Sequence, residues 1–435
     1  MSNLTLTVQK TVLAGTIITC MSTSYAQQAD TEVQQLRQEV QELRALLQTS
    51  IQQSQVIQAS PVVVASAKPT AAAKPAKSFV TPSGTEVDFY GYIRADASYQ
   101  AEGASTMFNN INGVPLENTS QAAEQKDRLR TTMAATRFGF NFKTPTAIGD
   151  VGGKLEMDFF GGSTRDQFRI RHAYLTSGNW LVGQTWSNFI APEYLPETVE
   201  AATYVGGSLQ RTPLVKYTKS LTPQTNFAIS IEDPKYTDNN GSAKGTDPGT
   251  QMRLPAVVGR VNHKFGNGSI ISGRSFVAEK KTAEDENWAW GVGLGGKYQM
   301  TPKTMLKADY YHVKGDGRML FWANQGYMLD DQKQMHTNEF DVISTGITQQ
   351  LTPKLRSTIG FGYMQAKDDN EFSRLVIKNQ DETQNKKLWQ GWINAFYNPY
   401  KPVNFGVEYG YGERETFNGK TGIDNRINIT AIYDF

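Results

Sequence analysis

Val87-Asp-Phe-Tyr-Gly-Tyr-Ile-Arg-Ala-Asp-Ala-Ser-Tyr99 alternates between two characters along its whole length. Val87, Phe89, Gly91, Ile93, Ala95, Ala97 and Tyr99 fall on one side, and Asp88, Tyr90, Tyr92, Arg94, Asp96 and Ser98 on the other. A period of two marks a strand, because successive side chains leave a pleated backbone on opposite faces. This run is long for a strand in a soluble sandwich, but it suits one that crosses a bilayer at a tilt.

The pattern recurs. Phe138, Phe140 and Phe142 oppose Arg137, Asn141 and Lys143, and Leu155, Met157 and Phe159 oppose Lys154, Glu156 and Asp158. Near the end, Val403, Phe405, Val407, Tyr409 and Tyr411 oppose Asn404 and Glu408. One face is apolar with aromatics towards its ends, and the other carries charge. In a soluble sandwich the apolar faces would share a core. In a barrel they meet lipid, and the charged faces line an aqueous lumen.

The connections separate these readings. Short turns fall at Thr144-Pro145, Ser177-Gly178-Asn179, Leu221-Thr-Pro223, Gly266-Asn-Gly268, Met300-Thr-Pro302, Leu351-Thr-Pro353 and Asn398-Pro399. Long polar stretches lie between them, near 100–130, 187–208, 233–252, 280–286, 316–336, 367–385 and 414–422. Short turns at one end and long loops at the other are the habit of outer-membrane barrels. The turns predict an all-β fold, a transmembrane antiparallel barrel of about sixteen strands over residues 86–435. The last strand, Ile423 to Phe435, ends on an aromatic in register with Tyr433, Ala431, Ile429 and Ile427. Tyr433 and Phe435 therefore read as an assembly signal for the barrel-insertion machinery.

Composition narrows the function. The chain of 435 residues has 44 basic and 42 acidic side chains, too even for a dedicated nucleic-acid binder. At 39% hydrophobic it is too polar for a helical membrane protein. A single cysteine, Cys20, excludes disulfide frameworks and multi-cysteine metal sites. Gly291-Val-Gly-Leu-Gly-Gly296 fits a dinucleotide fingerprint, but it lies in an alternating strand with no helix after it. G-x-S-x-G and H-E-x-x-H are absent, and His172, His263, His312 and His336 are scattered. No catalytic residue, metal site or cofactor is assigned, and an enzyme is not expected.

Ahead of the barrel, Lys10 precedes an apolar run, Thr11–Thr19, too short to span a bilayer. Ser24 and Ala26 supply the small residues of a cleavage site, which predicts a signal peptide over 1–26. Val33, Leu36, Val40, Leu43 and Leu47 then keep heptad spacing, with Glu32 and Glu39 at g and Arg37 and Arg44 at e. This predicts a coiled-coil helix over 27–58, followed by an Ala/Pro/Lys linker over 59–85.

A secretory leader, a short heptad, such a spacer and a barrel of this length resemble the DcaP-like outer-membrane porins. Val87–Tyr99 and the run Arg165-Asp-Gln-Phe-Arg-Ile-Arg-His-Ala-Tyr-Leu-Thr-Ser-Gly-Asn-Trp-Leu-Val-Gly-Gln-Thr-Trp186 carry the likeness. The resemblance implies a homotrimer of sixteen-stranded barrels in the outer membrane, taking up dicarboxylic acids. The coil would lie on the periplasmic side.

A porin lowers a solute's barrier through width and charge at a constriction. The alternation puts Arg94, Arg137, Arg169, Arg171 and Lys154 on lumen faces, with Phe168, Ile170 and Tyr174 towards lipid. Guanidinium groups grip carboxylates through paired donors, so such a cluster suits a small anion. The plainer reading has these arginines pair with Asp88, Asp96, Glu156 and Asp158 and hold the wall in shape. In general porins the third long loop folds inward. Here it is 187–200, whose Glu193, Glu197 and Glu200 would then oppose the arginines across the pore. Otherwise it is a surface loop at a subunit contact. Three rivals to a dicarboxylate channel remain: a general non-specific porin, a structural tether or adhesin, and a barrel hydrolase.

Overall fold

Alternating sequences of this kind cannot leave an edge open in a membrane, where no water satisfies an unpaired backbone. The chain solves this by closing on itself. The computed structural model describes Gln41 and residues 78–435, apart from 148, 163–166, 209, 235–249, 252 and 321–323. The expected leader, nearly all of the expected coiled coil and linker residues 59–77 lie outside the described residues.

The wall is built from β1 (Glu86–Glu102), β2 (Arg137–Thr146), β3 (Gly149–Gly161), β4 (Gln167–Ser177), β5 (Trp180–Trp186) and β6 (Arg211–Ser220). It continues through β7 (Thr225–Glu232), β8 (Ala256–Lys264), β9 (Ile270–Lys281), β10 (Glu286–Thr301) and β11 (Thr304–Lys314). The circuit finishes with β12 (Glu339–Thr352), β13 (Leu355–Ala366), β14 (Asn385–Tyr397), β15 (Val403–Thr416) and β16 (Thr421–Asp434). Each strand pairs antiparallel with its sequence neighbours, and β16 returns to β1, Ile93 facing Tyr433 and Tyr99 facing Ile427. The sheet has 18 strands, sixteen of which form this closed wall. The other two are short. Arg128–Thr132 extends the wall beyond β2, beside Asp96–Gln100. Ser78–Val80, in the stretch read as linker, folds back on Glu86–Asp88.

The two faces separate as the alternation predicts. On β1, Phe89, Ile93 and Tyr99 are exposed outward while Arg94, Asp96 and Ser98 are buried inside. On β16, Ile427, Ile429 and Tyr433 point out while Arg426, Asn428 and Thr430 point in. The dinucleotide-like run 291–296 is plain strand in β10.

One assignment fails for a physical reason. Met157 pairs with Ile170 but Glu156 pairs with His172, so Arg171 is an extra residue, a β-bulge in β4. Beyond it the faces swap. Tyr174, read as lipid-facing, pairs with Lys154 and lies edge-on to His172 on the inner wall. The bulge turns both Arg171 and His172 inward, where both are buried.

The Thr-Pro turns share a mechanism. Proline sets φ and the threonine hydroxyl accepts from the turning backbone. Lys354 N donates to Thr352 Oγ1 at 3.2 Å and Leu355 N at 3.1 Å. Thr225 N donates to Thr222 Oγ1 at 2.9 Å.

The chain terminus completes the seam. Phe435 N donates to Gly91 O at 3.0 Å and Phe435 O accepts from Gly91 N at 3.2 Å. Its ring stacks on Phe89 at 5.1 Å. Gly91 has to be glycine, because a Cβ there would lie 2.4 Å from Arg137 O and 2.9 Å from the Phe435 ring.

At the opposite end lie the longer connections, and the chain also turns between β3 and β4, where the sequence did not mark a loop. Those at 103–136, 187–210, 315–338 and 367–384 fold over and into the barrel. Ile111, Val114, Phe189, Val205, Met319, Phe372 and Val376 from these loops join Phe276, Val313 and Phe340 of the wall in one buried apolar cluster. The helix Glu371–Lys378, capped by the Asn370 side chain on Ser373 N at 2.9 Å, supplies two of them. The end of the barrel that carries the long connections is therefore partly filled by its own loops.

Candidate functional site

The segment between β5 and β6, residues 187–210, enters the lumen and runs along the inner wall. Its carboxylates and carbonyls meet wall donors in succession. Glu193 pairs with Arg260 of β8. Leu195 O accepts from Lys307 of β11 at 2.9 Å. Glu197 pairs with Arg356 of β13, whose Nε and Nη2 both donate to it at 2.8 Å. Glu200 lies 3.3 Å from Arg426 of β16. Val199 O accepts from Arg94 of β1. Tyr204 stacks on Trp392 of β14 at 4.7 Å.

Glu408 of β15 gathers the middle of this loop. Its carboxylate accepts from Thr198 Oγ1 at 2.8 Å, Val199 N at 2.8 Å, Glu200 N at 3.1 Å and Tyr204 OH at 3.0 Å. Asn394 and Asn428 add bonds at 3.1 and 3.3 Å. An ionised carboxylate accepts only, with about four lone-pair directions, and here all of them are engaged.

The predicted inner-wall cations fall into two groups. Arg137, Arg169 and Arg171 come together around Glu156 and Asp158. Arg169 Nη2 donates to Asp158 Oδ2 at 2.7 Å, and Arg171 donates to Asp158 at 2.8 Å and Glu156 at 2.7 Å. Arg137 is 3.6 Å from Glu156, and Tyr90 donates to Glu156 at 2.9 Å. Lys154 lies beside them, 4.7 Å over the Tyr90 ring. Arg94 stands apart, bound to Asp96 at 2.7 Å and to the loop carbonyl above. It holds the loop rather than joining the cluster. The three glutamates do not confront these arginines with free charge, as a transverse field would need. Arg260 and Arg356 pair with Glu193 and Glu197, while Glu200 is buried beside Arg426, which also binds Asp424 at 2.6 Å.

A closed β-barrel with a charged inner wall and a loop pinned within it is the frame of a channel, and comparison with known proteins agrees. Residues 21–435 match the family described as DcaP outer membrane protein. The chain belongs to that family. The outer membrane channel DcaP of Acinetobacter baumannii is 35% identical with a TM-score of 0.74, over 82% of this chain and 99% of that one. An anion-selective porin from Comamonas acidovorans aligns at 0.54 and OmpT of Vibrio cholerae in its trimer form at 0.51. Each covers 81% of this chain at 12% and 13% identity, a likeness of fold alone. These alignments take in 100% and 99% of those two chains. A stretch of 60 residues is 35% identical to the outer membrane protein PagN of Salmonella typhimurium, covering 14% of this chain and 25% of that one.

As a DcaP-family chain the protein is an outer-membrane channel barrel. Several of its inner-wall residues carried no mark in the sequence. Glu408 and Arg260 stand on ordinary alternating strands, and their loop partners are 204 to 210 and 67 residues away. Arg211 follows a long loop, so no pattern placed it; it stacks on Trp186 at 4.4 Å beside the arginine cluster. Among the described residues no group of His, Cys, Asp or Glu has the arrangement of a metal site.

Proposed function

We propose that the protein is an anion-preferring porin for passive uptake of small solutes, dicarboxylic acids in particular. The observation that carries this reading is the excess of cations on the inner wall of β2–β6. Four guanidinium groups, Arg137, Arg169, Arg171 and Arg211, and Lys154 share a neighbourhood with two carboxylates, Glu156 and Asp158. Fixed positive charge in a narrow, low-dielectric passage concentrates anions and repels cations. The cations outnumber the carboxylates, so both ends of a dianion find positive charge, which favours dicarboxylates over monoanions.

The family resemblance supports the remainder: a homotrimer inserted in outer-membrane lipid by the barrel-assembly machinery, after loss of the leader, with its coil in the periplasm. A second reading, a general non-specific porin, is favoured by the ion pairs that Arg169 and Arg171 already make. Purified protein in planar bilayers under a KCl gradient separates them. An anion-selective reversal potential and current block by succinate support the proposal. A cation-selective potential overturns it, and anion selectivity without block favours the general porin.

A further inference from the structure

Within the inner cluster, Arg211 differs from its neighbours. Its Nε, Nη1 and Nη2 are all buried without a hydrogen-bond partner among the described residues. The residue is 3% exposed. Among the described residues its guanidinium lies over the Trp186 ring, whose π face attracts a cation but accepts none of its five N–H bonds in the plane of the fork. Nearby carboxylates are already taken. Asp158 is held by Arg169 and Arg171, and Glu156 by Arg171 and Tyr90.

A guanidinium withdrawn from water without an acceptor is costly, because every donor loses its hydration. Such a group calls for a partner with two coplanar acceptors and negative charge, which describes a carboxylate. Its position gives that partner consequence. Trp186 and Arg211 are cross-strand partners on the last rung of β5 and β6. The next bond, Ser187 N to Gln210 O at 3.1 Å, already belongs to the inserted loop. Arg211 therefore stands at the root of the loop that fills the lumen.

We propose that Arg211 is a docking point for one carboxylate of the permeating dianion, which it holds through its paired N–H groups at the root of the loop. To take the ligand the fork turns from the indole towards the lumen, about the arginine's own side-chain bonds. This rests on the anion-channel reading above. It adds that the arginine free of carboxylate, rather than the salt-bridged Arg169 or Arg171, makes the first tight contact.

The test is single-channel recording of the full-length protein, with succinate titrated into KCl, on wild type, R211Q, R211K and R169A, with K219Q as control. Lys219 is an exposed residue far along β6 from this site. R211Q should raise the half-blocking succinate concentration about tenfold or more, since a charge-assisted pair is lost. R211K, which keeps the charge but loses the fork, should fall between. Equal block in R211Q and wild type overturns the proposal and assigns water to the arginine. Loss of block in R169A but not R211Q also overturns it, while leaving the channel reading intact. If succinate fails to block wild type, that reading loses its substrate. Arg211 is then judged on anion over cation selectivity, which R211Q must lower for the site to stand. Should R211Q fail to give the folded, heat-modifiable band, R211K decides on the same criteria.

Discussion

Replacing Glu408 by glutamine tests how the inserted loop is held. The change preserves shape and removes one acceptor oxygen, putting an NH₂ donor in its place. Oε2 receives Thr198 Oγ1, Val199 N and Asn394 Nδ2, while Oε1 receives Glu200 N, Tyr204 OH and Asn428 Nδ2. Whichever way the amide turns, one loop backbone N–H faces another donor. Hydroxyls can rotate and accept, but a peptide N–H cannot. One stranded buried donor costs about 1–3 kcal/mol, and the surviving bonds lose their charge assistance. Together these weaken docking by roughly 2–5 kcal/mol, about 30-fold to several thousand-fold in the docked-to-undocked ratio. In single-channel recordings Glu408→Gln should flicker between conductance levels where wild type is quiet. Asp150→Asn, which touches only the exposed Lys143–Asp150 pair at 2.9 Å, should not. A Glu408→Gln trace as steady as wild type, at the same conductance, would refute the idea that this carboxylate pins the loop.

Other expectations follow from the same geometry. Burial pushes Glu200 up to about 7 against the pull of Arg426, so the folded state holds this proton more tightly than the unfolded chain. The loop should then be held best below about pH 4.5 and loosen as pH rises through 7, with open-channel noise tracking the change and E200Q abolishing the dependence. Phe435→Ala removes the ring that stacks on Phe89 and should slow refolding into liposomes, read as the folded band on unheated gels; unchanged kinetics would deny the terminus a part in closure. Ile429→Arg, on the exposed outer face, should destabilise the barrel by about 2–4 kcal/mol in urea titrations if the position lies near the bilayer midplane, whereas Ile429→Leu should be near neutral.

What the sequence disclosed followed from period and punctuation. A strand with lipid on one side and water on the other must alternate, so Phe89, Ile93 and Ile429 declared themselves, as did Arg94 and Asp158 on the reverse face. Thr-Pro at the short turns marked the hairpins because the hydroxyl and the ring act locally. Where one residue broke the period, legibility stopped. The extra residue Arg171 sent Tyr174 inside, and nothing in the letters Arg-Ile-Arg-His signals which of them is the bulge. Loop partners were hidden for a different reason. Glu197 and Arg356 are 159 residues apart, and Glu200 and Arg426 are 226 apart. Only the tertiary path of the loop brings them together, so glutamates that looked free to oppose the pore arginines are each engaged by another arginine of the wall. Arg211 was invisible for the converse reason: what sets it apart is that its guanidinium finds no acceptor among the described residues.

The meeting of β16 with β1 has a bearing on how this protein comes into being. Tyr99 and Ile427 face each other in register although almost the whole wall separates them in sequence, so both lips of the cylinder stay raw until β16 reaches β1. A wall without β16 is a curved ribbon with two hungry edges, fit to aggregate or to join a neighbour's ribbon. The pairing of β16 with β1 is thus the step that removes the wall's last exposed edge.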